Sequence, residues 1–136
     1  MSEPASQVTS GIPDPAQRDE IFKRFGRAFF KQDMDAFYEV VHPDFVWTIQ
    51  TGDTLRVLDS RARIEAFFAE RNRTQSKVRF EDVVFHHAPL ATFMTYAVTG
   101  VDEVTGRPFR RVGVERYSFK DGLLAEKDVY SREAGA

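Results

Sequence analysis

The chain of 136 residues contains no cysteine and no long apolar run. Without cysteine, neither disulfides nor thiolate chemistry can contribute. No apolar stretch approaches the roughly 20 residues that a transmembrane helix needs, so the sequence predicts no membrane partner. Residues 1–10 combine neither a basic start nor an apolar core, which argues against a secretory signal. By elimination, we expect a cytoplasmic protein.

The chain also lacks the patterns that mark nucleic-acid, nucleotide and metal sites. Its formal net charge is −2, and Glu65 and Glu70 lie among the arginines between Arg61 and Arg73, so no basic patch for nucleic acid is predicted. The glycines are scattered and form no phosphate-binding loop. His42, His86 and His87 lack the spacing of a metal site. We therefore predict no nucleic acid, no metal and no other cofactor.

What the sequence does have is phenylalanine, which occurs 13 times in a chain that is 42% hydrophobic. Phenylalanine brings large apolar area without a polar group, so these rings can line a cavity or fill a core. The length suits one domain with one core. We predict a flexible arm over residues 1–13, a single domain over 14–132 and a short tail over 133–136.

The second half of the chain, from Lys77 to Arg132, has β-strand patterning throughout. The predicted strands run over residues 77–85, 90–101, 109–119 and 123–131, joined by short turns that make them antiparallel neighbours. The apolar positions change parity between Phe80 and Val83. A regular strand cannot accommodate that change, so a bulge is predicted near Glu81 and Asp82.

The first half predicts three helices and a short strand pair. Asp14, followed by Pro15 and Gln17, is typical of a helix start. The other predicted elements are a helix capped by Asp33 and ended by residues 42–44, strands over 45–49 and 55–58, and a helix capped by Ser60 that ends near Asn72. Helices segregated from mostly antiparallel strands indicate an α+β fold.

Three stretches of this chain, Phe25–Ile49, Ser60–Phe68 and Tyr117–Tyr130, resemble the nuclear-transport-factor-2-like superfamily, which includes ketosteroid isomerase and the SnoaL-like domains. The resemblance implies a cone-shaped roll: about three N-terminal helices pack on a strongly curved, mostly antiparallel β-sheet and enclose a pocket. The superfamily hosts many functions on this scaffold. It therefore implies a fold more strongly than a reaction.

The resemblance also lets the isomerase site be compared position by position. The position of the carboxylate base falls on Ile49, and the position of the tyrosine on the first helix falls on Phe25. Neither side chain can do that chemistry. Only the position of the protonated acid keeps a carboxyl group, in Glu115. We therefore do not expect a steroid isomerase.

Glu115 and Asp128 are the candidate catalytic residues. Glu115 shares a strand face with Tyr117 in an apolar stretch, where a carboxyl group could act as an acid or a hydrogen-bond donor. It could equally face solvent or pair with an arginine of a neighbouring strand. Asp128 could act as a base with Tyr130 as an orienting donor. Alternatively, Glu126 and Asp128 form a surface row, with Lys127 on the other face.

Further aromatic and apolar residues are candidates for substrate contacts. Trp47 could stack on a flat ligand, or be a core aromatic whose indole N–H finds a partner. The same alternatives hold for Tyr38 and Tyr96. The predicted substrate-binding residues are Phe25, Phe29, Tyr38, Trp47, Ile49, Tyr96, Tyr117 and Tyr130.

Two functions remain open from the sequence. The first is a cofactor-independent isomerase, cyclase or hydratase/hydrolase-type enzyme that acts on a small apolar substrate by acid–base chemistry in the pocket. The second is a non-catalytic domain for ligand binding or dimeric assembly, with phenylalanines filling the pocket. A cavity of roughly 300 Å³ or more with a buried carboxyl group would favour the enzyme.

A homodimer through the sheet is also expected. The outer face of the sheet would otherwise expose Met94, Val98 and Val112, or their neighbours of opposite parity, to water. The resemblance implies the same pairing. We expect the interface to be sheet on sheet with twofold symmetry.

Overall fold

The computed structural model describes residues 11–134, so most of the predicted arm and the last two residues of the tail lie outside the described residues. The helices are α1 (Pro15–Lys31), α2 (Met34–Val40) and α3 (Arg61–Thr74). The strands are β1 (Val41–Thr51), β2 (Thr54–Leu58), β3 (Gln75–His87), β4 (Ala91–Asp102), β5 (Arg107–Lys120) and β6 (Leu123–Glu133). None of the described helices is long and apolar enough to cross a membrane.

The described strands form one six-stranded sheet in the order β2-β1-β6-β5-β4-β3. The pairing of β1 with β6 is parallel, and the other neighbours are antiparallel. The helices cover one face of this sheet, and the buried apolar side chains form a single cluster between the two layers. The predicted α+β roll is confirmed, including its four consecutive antiparallel strands.

The three predicted helix starts are confirmed by their caps. Asp14 and Gln17 form a reciprocal capping box, with Pro15 in the first turn. The side chain of Asp33 accepts from the backbone N–H of Ala36, and Ser60 caps α3 in the same way. The third helix continues two residues beyond the predicted end, to Thr74.

The second helix ends earlier than predicted. It stops at Val40, and Val41 already belongs to β1. His42 is therefore part of a strand, and its Nε2 lies 3.2 Å from Asp121 Oδ2. Proline has no N–H for a strand ladder, and a register shift between Val41 and Val46 accommodates Pro43 within β1.

A bulge in β3 curves the sheet around the cone. The register with β4 shifts between Glu81 and Val84, and Asp82 has a φ of 55°. This confirms the predicted bulge. Phe80 pairs with Val98 before the bulge and Phe85 with Met94 after it. Because directly opposed residues share a face, both phenylalanines point toward the helices.

A second bulge, in β6, decides which of its side chains face the cone. The turn before β6 contains Asp121 and Gly122, both with positive φ, as a two-residue hairpin requires. Phe119 pairs with Leu124, but Ser118 pairs with Glu126, so Ala125 is the extra residue. An extra residue reverses the alternation of faces for everything after it. Lys127 consequently faces the helices, and Glu126 does not.

Arg18 attaches α1 to the turn between β3 and β4. Its guanidinium is buried and donates to the backbone oxygens of Ala88 at 2.6 Å and Pro89 at 3.0 Å, and to Thr92 Oγ1 at 3.2 Å. It also lies 5.0 Å from the centroid of the Phe119 ring. These bonds satisfy a buried cation without a carboxylate, and they fix α1 across the open end of the sheet.

Two glycines give a stability test of this packing. A Cβ on Gly113 would lie 2.6 Å from the Tyr96 hydroxyl and 2.7 Å from the backbone oxygen of Tyr130. Gly113→Ala should therefore lower the free energy of unfolding by about 1–3 kcal/mol, measured by urea denaturation. A Cβ on Gly26, within α1, would meet nothing within 4 Å. Gly26→Ala should raise the same free energy by about 0.5–1 kcal/mol. Equal effects of the same sign would contradict this packing.

Candidate functional site

A cavity of about 460 Å³ lies between α1 and the inner face of the sheet, and we call it the outer cavity. Its wall is mostly aromatic, and its polar groups include Glu115, Tyr117 and Lys127. The apolar lining residues are Phe22, Phe25, Phe29, Phe30, Phe80, Val83, Phe85 and Met94. An apolar cavity with a few convergent polar groups is the usual form of a small-molecule site.

Three polar side chains in this wall form a hydrogen-bonded triangle: Glu115, Tyr117 and Lys127. Glu115 and Tyr117 are two residues apart on β5, and Lys127 stands opposite Tyr117 on β6. Lys127 Nζ donates to Glu115 Oε1 at 2.6 Å and to the Tyr117 hydroxyl at 3.1 Å. The Tyr117 hydroxyl donates to the same carboxylate oxygen. Glu115 and Lys127 are each only 3% exposed, so this is a buried ion pair.

Aromatic rings surround the ammonium group of Lys127. Its Nζ lies 4.8 Å from the centroid of Phe29, 5.3 Å from those of Trp47 and Tyr117, and 5.7 Å from that of Phe25. Ring faces attract a cation, most strongly where water is excluded. The rings therefore help the carboxylate of Glu115 to compensate for the hydration that Lys127 loses.

Burial shifts the pKa of two members of the triangle. It lowers the pKa of the Lys127 ammonium, and the neighbouring Glu115 opposes that shift. Burial raises the pKa of the Tyr117 phenol, and Glu115 raises it further. Tyr117 therefore keeps its proton and acts as a donor.

One oxygen of Glu115 remains for a ligand. The hydrogen bonds from Lys127 and Tyr117 both end on Oε1. Within residues 11–134, no protein donor lies on Oε2. Lys127 uses two of its three N–H groups in the triangle. The site thus presents a carboxylate oxygen as a proton acceptor and, beside it, an ammonium N–H as a donor.

A second compartment, of about 160 Å³, adjoins the outer cavity, and we call it the inner compartment. The two share Phe29, Phe80, Glu115 and Lys127 as wall. The inner compartment lies between α3 and the strands β1, β4, β5 and β6. Its other lining residues include Trp47, Ile49, Arg56, Phe67, Glu70, Arg71, Gln75, Tyr96 and Arg111.

Most of the predicted site residues meet in these two spaces. Glu115, Tyr117, Phe25 and Phe29 line the outer cavity. Trp47, Ile49 and Tyr96 line the inner compartment, as do Glu115 and Phe29. Burial raises the pKa of the Tyr96 phenol, so this hydroxyl also stays protonated.

Asp128 does not lie near Glu115, because the bulge at Ala125 turns it to the outer face of the sheet. There it accepts a hydrogen bond from Thr48 at 2.5 Å and one from Tyr130 at 3.1 Å. Tyr130 is 49% exposed on the same face. The structure therefore does not bring the two predicted acids into one cavity, and it has the surface row of Glu126 and Asp128 instead.

Tyr38 also lies away from the two spaces. It is half-buried beside Phe37 on α2, and Arg61 lies 5.8 Å from the centroid of its ring. It is part of the contact between α2 and α3, and neither cavity includes it.

The histidines serve local contacts. His87 lies 2.8 Å from Asp19 and 2.9 Å from Thr92 Oγ1, which links β3 to α1 and β4. His86 lies 3.4 Å from Thr95 Oγ1. In the part of the chain that the structure describes, no group of three or more His, Cys, Asp or Glu side chains could hold a metal ion.

Three charged residues of the two spaces were not predicted from the sequence: Lys127, Arg71 and Arg111. Arg71 carried a usable signal, since it lies seven residues after Ile64 and so shares the buried face of α3. Arg111 also carried one, because it shares strand parity with Glu115. Lys127 was placed on the face opposite Asp128, but without the bulge that face could not be assigned to the cone.

The buried ion pair gives a stability prediction. Lys127→Met leaves the Glu115 carboxylate buried without its cation, so it should lower the free energy of unfolding by about 3–5 kcal/mol. The double variant Glu115→Gln/Lys127→Met removes both charges and keeps an acceptor for Tyr117. It should recover most of that loss in thermal or urea unfolding.

The exposed Arg116–Glu126 pair on the outer face is the control. Glu126→Gln should change the free energy of unfolding by less than about 1 kcal/mol. Additive losses in the Glu115/Lys127 double variant would show that the two side chains do not act as a pair.

The comparisons with known proteins agree with this geometry. A family model described as a SnoaL-like domain matches residues 22–127. An NTF2-like protein from Burkholderia xenovorans LB400 superposes with a TM-score of 0.75 at 17% identity, over 87% of this chain and 91% of that one. A candidate polyketide cyclase from Xanthomonas campestris pv. campestris gives 0.68 at 18% identity, over 85% and 90%.

A candidate isomerase from Bacillus subtilis superposes with a TM-score of 0.67 at 14% identity, over 85% of this chain and 86% of that one. At such identities the structures share the fold and nothing more is implied. None of the curated proteins matches this chain. The family model covers most of the chain, including all three members of the buried triangle, and the chain belongs to the SnoaL-like domain family.

Proposed function

We propose that this protein is a cofactor-independent acid–base enzyme that moves a proton next to a carbonyl group of a small, largely apolar substrate. The observation that carries the proposal is the unpartnered Glu115 Oε2 beside the buried ammonium of Lys127 at the wall of an apolar cavity. Carboxylates positioned beside a substrate are common general bases. The rings that line the cavity would hold the apolar body of the substrate.

The proposed step balances without a cofactor. Glu115 Oε2 takes a proton from the carbon next to the carbonyl, and the electron pair of that C–H bond becomes the C=C bond of an enolate. The carbonyl oxygen gains the negative charge, and the third N–H of Lys127 donates to it. Glu115 then returns the proton to another carbon in an isomerisation, or to the product of an internal C–C bond formation in a cyclisation.

The roles of the other two residues follow from their bonds. Tyr117 and Lys127 both donate to Glu115 Oε1, so they hold this oxygen in place and leave Oε2 for the substrate. Preorganised donors near a developing oxyanion are a large source of rate enhancement where water is excluded. Lys127 is such a donor, because it is buried and already charged before the reaction.

The size of the cavity supports an enzyme over a filled interior. At about 460 Å³ the outer cavity exceeds the roughly 300 Å³ that sequence analysis set as the discriminator, and Glu115 is the buried carboxyl group that it required. Relatives named as a candidate polyketide cyclase and a candidate isomerase are consistent with carbonyl chemistry on this fold.

The second candidate is a non-catalytic domain that binds the same kind of molecule. It is favoured by Ile49 and Phe25, which stand where the resemblance implies an isomerase's base and tyrosine. In this case the Glu115–Lys127 pair would orient a ligand and no proton would move. The two candidates therefore differ in one measurable event, the exchange of a carbon-bound proton.

Proton exchange can be tested before the substrate is known. Cyclic ketones and 1,3-dicarbonyl compounds are incubated with the protein in D₂O, and loss of their α-proton signals is followed by NMR. The protein should accelerate exchange, and Glu115→Gln should slow it by about 100-fold or more, as loss of a general base does. Because this variant leaves Lys127 buried without its carboxylate, it should be less stable than the wild type, and circular dichroism at the assay temperature should show that it is still folded.

Glu126→Gln, on the outer face, is the matched control and should exchange at the wild-type rate. If Glu115→Gln exchanges as fast as the control, Glu115 is not the base. Ligand binding without any accelerated exchange would favour the non-catalytic candidate.

A homodimer and a cytoplasmic location remain proposals. The outer face of the sheet carries Val112, Val114 and the exposed Tyr130, an apolar strip suited to a second copy. Sedimentation should give a dimer at micromolar concentration. A monomer under these conditions would contradict the pairing.

A further inference from the structure

The inner compartment holds more positive charge than its acids neutralise. Arg56 and Glu70 form a two-armed ion pair at 3.1 and 3.2 Å. Lys127 is paired with Glu115. Arg71 and Arg111 remain, and within residues 11–134 no carboxylate lies within 4 Å of either guanidinium. The Arg71 guanidinium lies 5.8 Å from the centroid of Phe29 and 5.9 Å from that of Phe67, and the Arg111 guanidinium lies 4.8 Å from that of Phe109.

The pairing of these two cations costs stability unless an anion lies between them. Burial lowers the pKa of the Arg71 guanidinium, and the nearby charge of Arg111 lowers it further, against the opposing effects of Glu115 and Tyr96. Two cations that face one small space repel each other unless an anion joins them. A core selected only for stability would place a carboxylate or an apolar group there.

Two buried polar atoms of the same compartment also lack partners. Trp47 is 2% exposed, and its Nε1–H has no hydrogen-bond acceptor among the described residues. The side-chain oxygen of Gln75 is buried without a donor. Buried polar groups are rarely left unsatisfied in native proteins, so these two atoms are a further cost to stability in the wall of the inner compartment.

We infer that the inner compartment binds a carboxylate group of the substrate through Arg71 and Arg111, while the apolar body of the substrate occupies the outer cavity. The inference rests on the proposed function in placing the reacting carbon beside Glu115, which forms part of the wall between the two spaces. The implied substrate is therefore an apolar carboxylic acid that also bears a carbonyl group.

A carboxylate fits this compartment better than a phosphate does. Guanidinium groups hold a planar carboxylate by two parallel N–H bonds. The carboxylate of Glu115 shares the space and would repel a dianion more than a monoanion. The amide of Gln75 can turn to offer either its oxygen or its NH₂, so it can serve as a further donor.

The single tryptophan makes binding directly measurable. Trp47 is the only tryptophan of the chain, so intrinsic fluorescence reports on the inner compartment. The wild-type protein is titrated with cyclohexylacetate and with its neutral counterpart cyclohexylacetamide, neither of which absorbs where tryptophan does. The carboxylate should bind at least about tenfold tighter, since charge-assisted hydrogen bonds are lost with the amide.

Arg71→Met and Arg111→Met should each lower the affinity for cyclohexylacetate by about tenfold and leave that for cyclohexylacetamide unchanged. Arg110→Met is the matched control, because Arg110 is the exposed neighbour of Arg111 and its loss changes the net charge equally. It should bind like the wild type. The melting temperatures of Arg71→Met and Arg111→Met should equal or exceed that of the wild type, because each substitution relieves the repulsion between Arg71 and Arg111.

Three results would overturn the inference: equal affinity for the acid and the amide, an equal loss in Arg110→Met, or no binding of either compound at millimolar concentration. The outcome is separable from that of the exchange experiment. A carboxylate preference without proton exchange would contradict the proposed enzyme but support the carboxylate site. Proton exchange on neutral ketones without a carboxylate preference would support the enzyme and contradict the carboxylate site.

Discussion

The charge of Lys127 can persist inside this molecule only because Glu115 and the surrounding rings replace the water that it loses. An ammonium group that is 3% exposed would be several kcal/mol less stable without such compensation. The carboxylate at 2.6 Å and the ring faces within 6 Å supply it. The aromatic excess of the sequence thus has an electrostatic role besides its apolar one. It allows a charged pair to exist where a substrate can meet it without intervening water.

One inserted residue makes this pair possible. The β5–β6 hairpin begins at the Asp121–Gly122 turn, and a regular ladder from that turn would place Asp128 inside and Lys127 outside. The extra residue Ala125 exchanges them. The same device in β3 brings both Phe80 and Phe85 to the inner face. The bulges therefore do two things together: they bend the sheet into a cone, and they select which side chains the cone encloses.

The sequence predicted those features that depend on local chemistry. The helix caps at Asp14, Asp33 and Ser60 can be recognised from the residues next to them in the sequence. The β3 bulge is visible as a change of parity in the alternation of apolar residues. The β6 bulge leaves no such mark, because Leu124 and Lys127 flank a stretch with no consistent alternation. The parallel pairing of β1 with β6 joins strands that are far apart in sequence. Residue patterns could not supply either.

The two compartments together suggest why the site is built at a cost. The Glu115–Lys127 pair is internally neutral, and within residues 11–134 it leaves one carboxylate oxygen, Oε2, and one ammonium N–H for a ligand. Arg71 and Arg111 are the opposite, because their charges are unpaired in the described chain and oppose one another. Local arrangements that reduce stability concentrate where function requires them. A ligand anion would remove the repulsion, so binding energy at the inner compartment would also fix the reacting carbon beside Glu115. The wall that contains Glu115 would then serve both to bind the substrate and to transfer its proton.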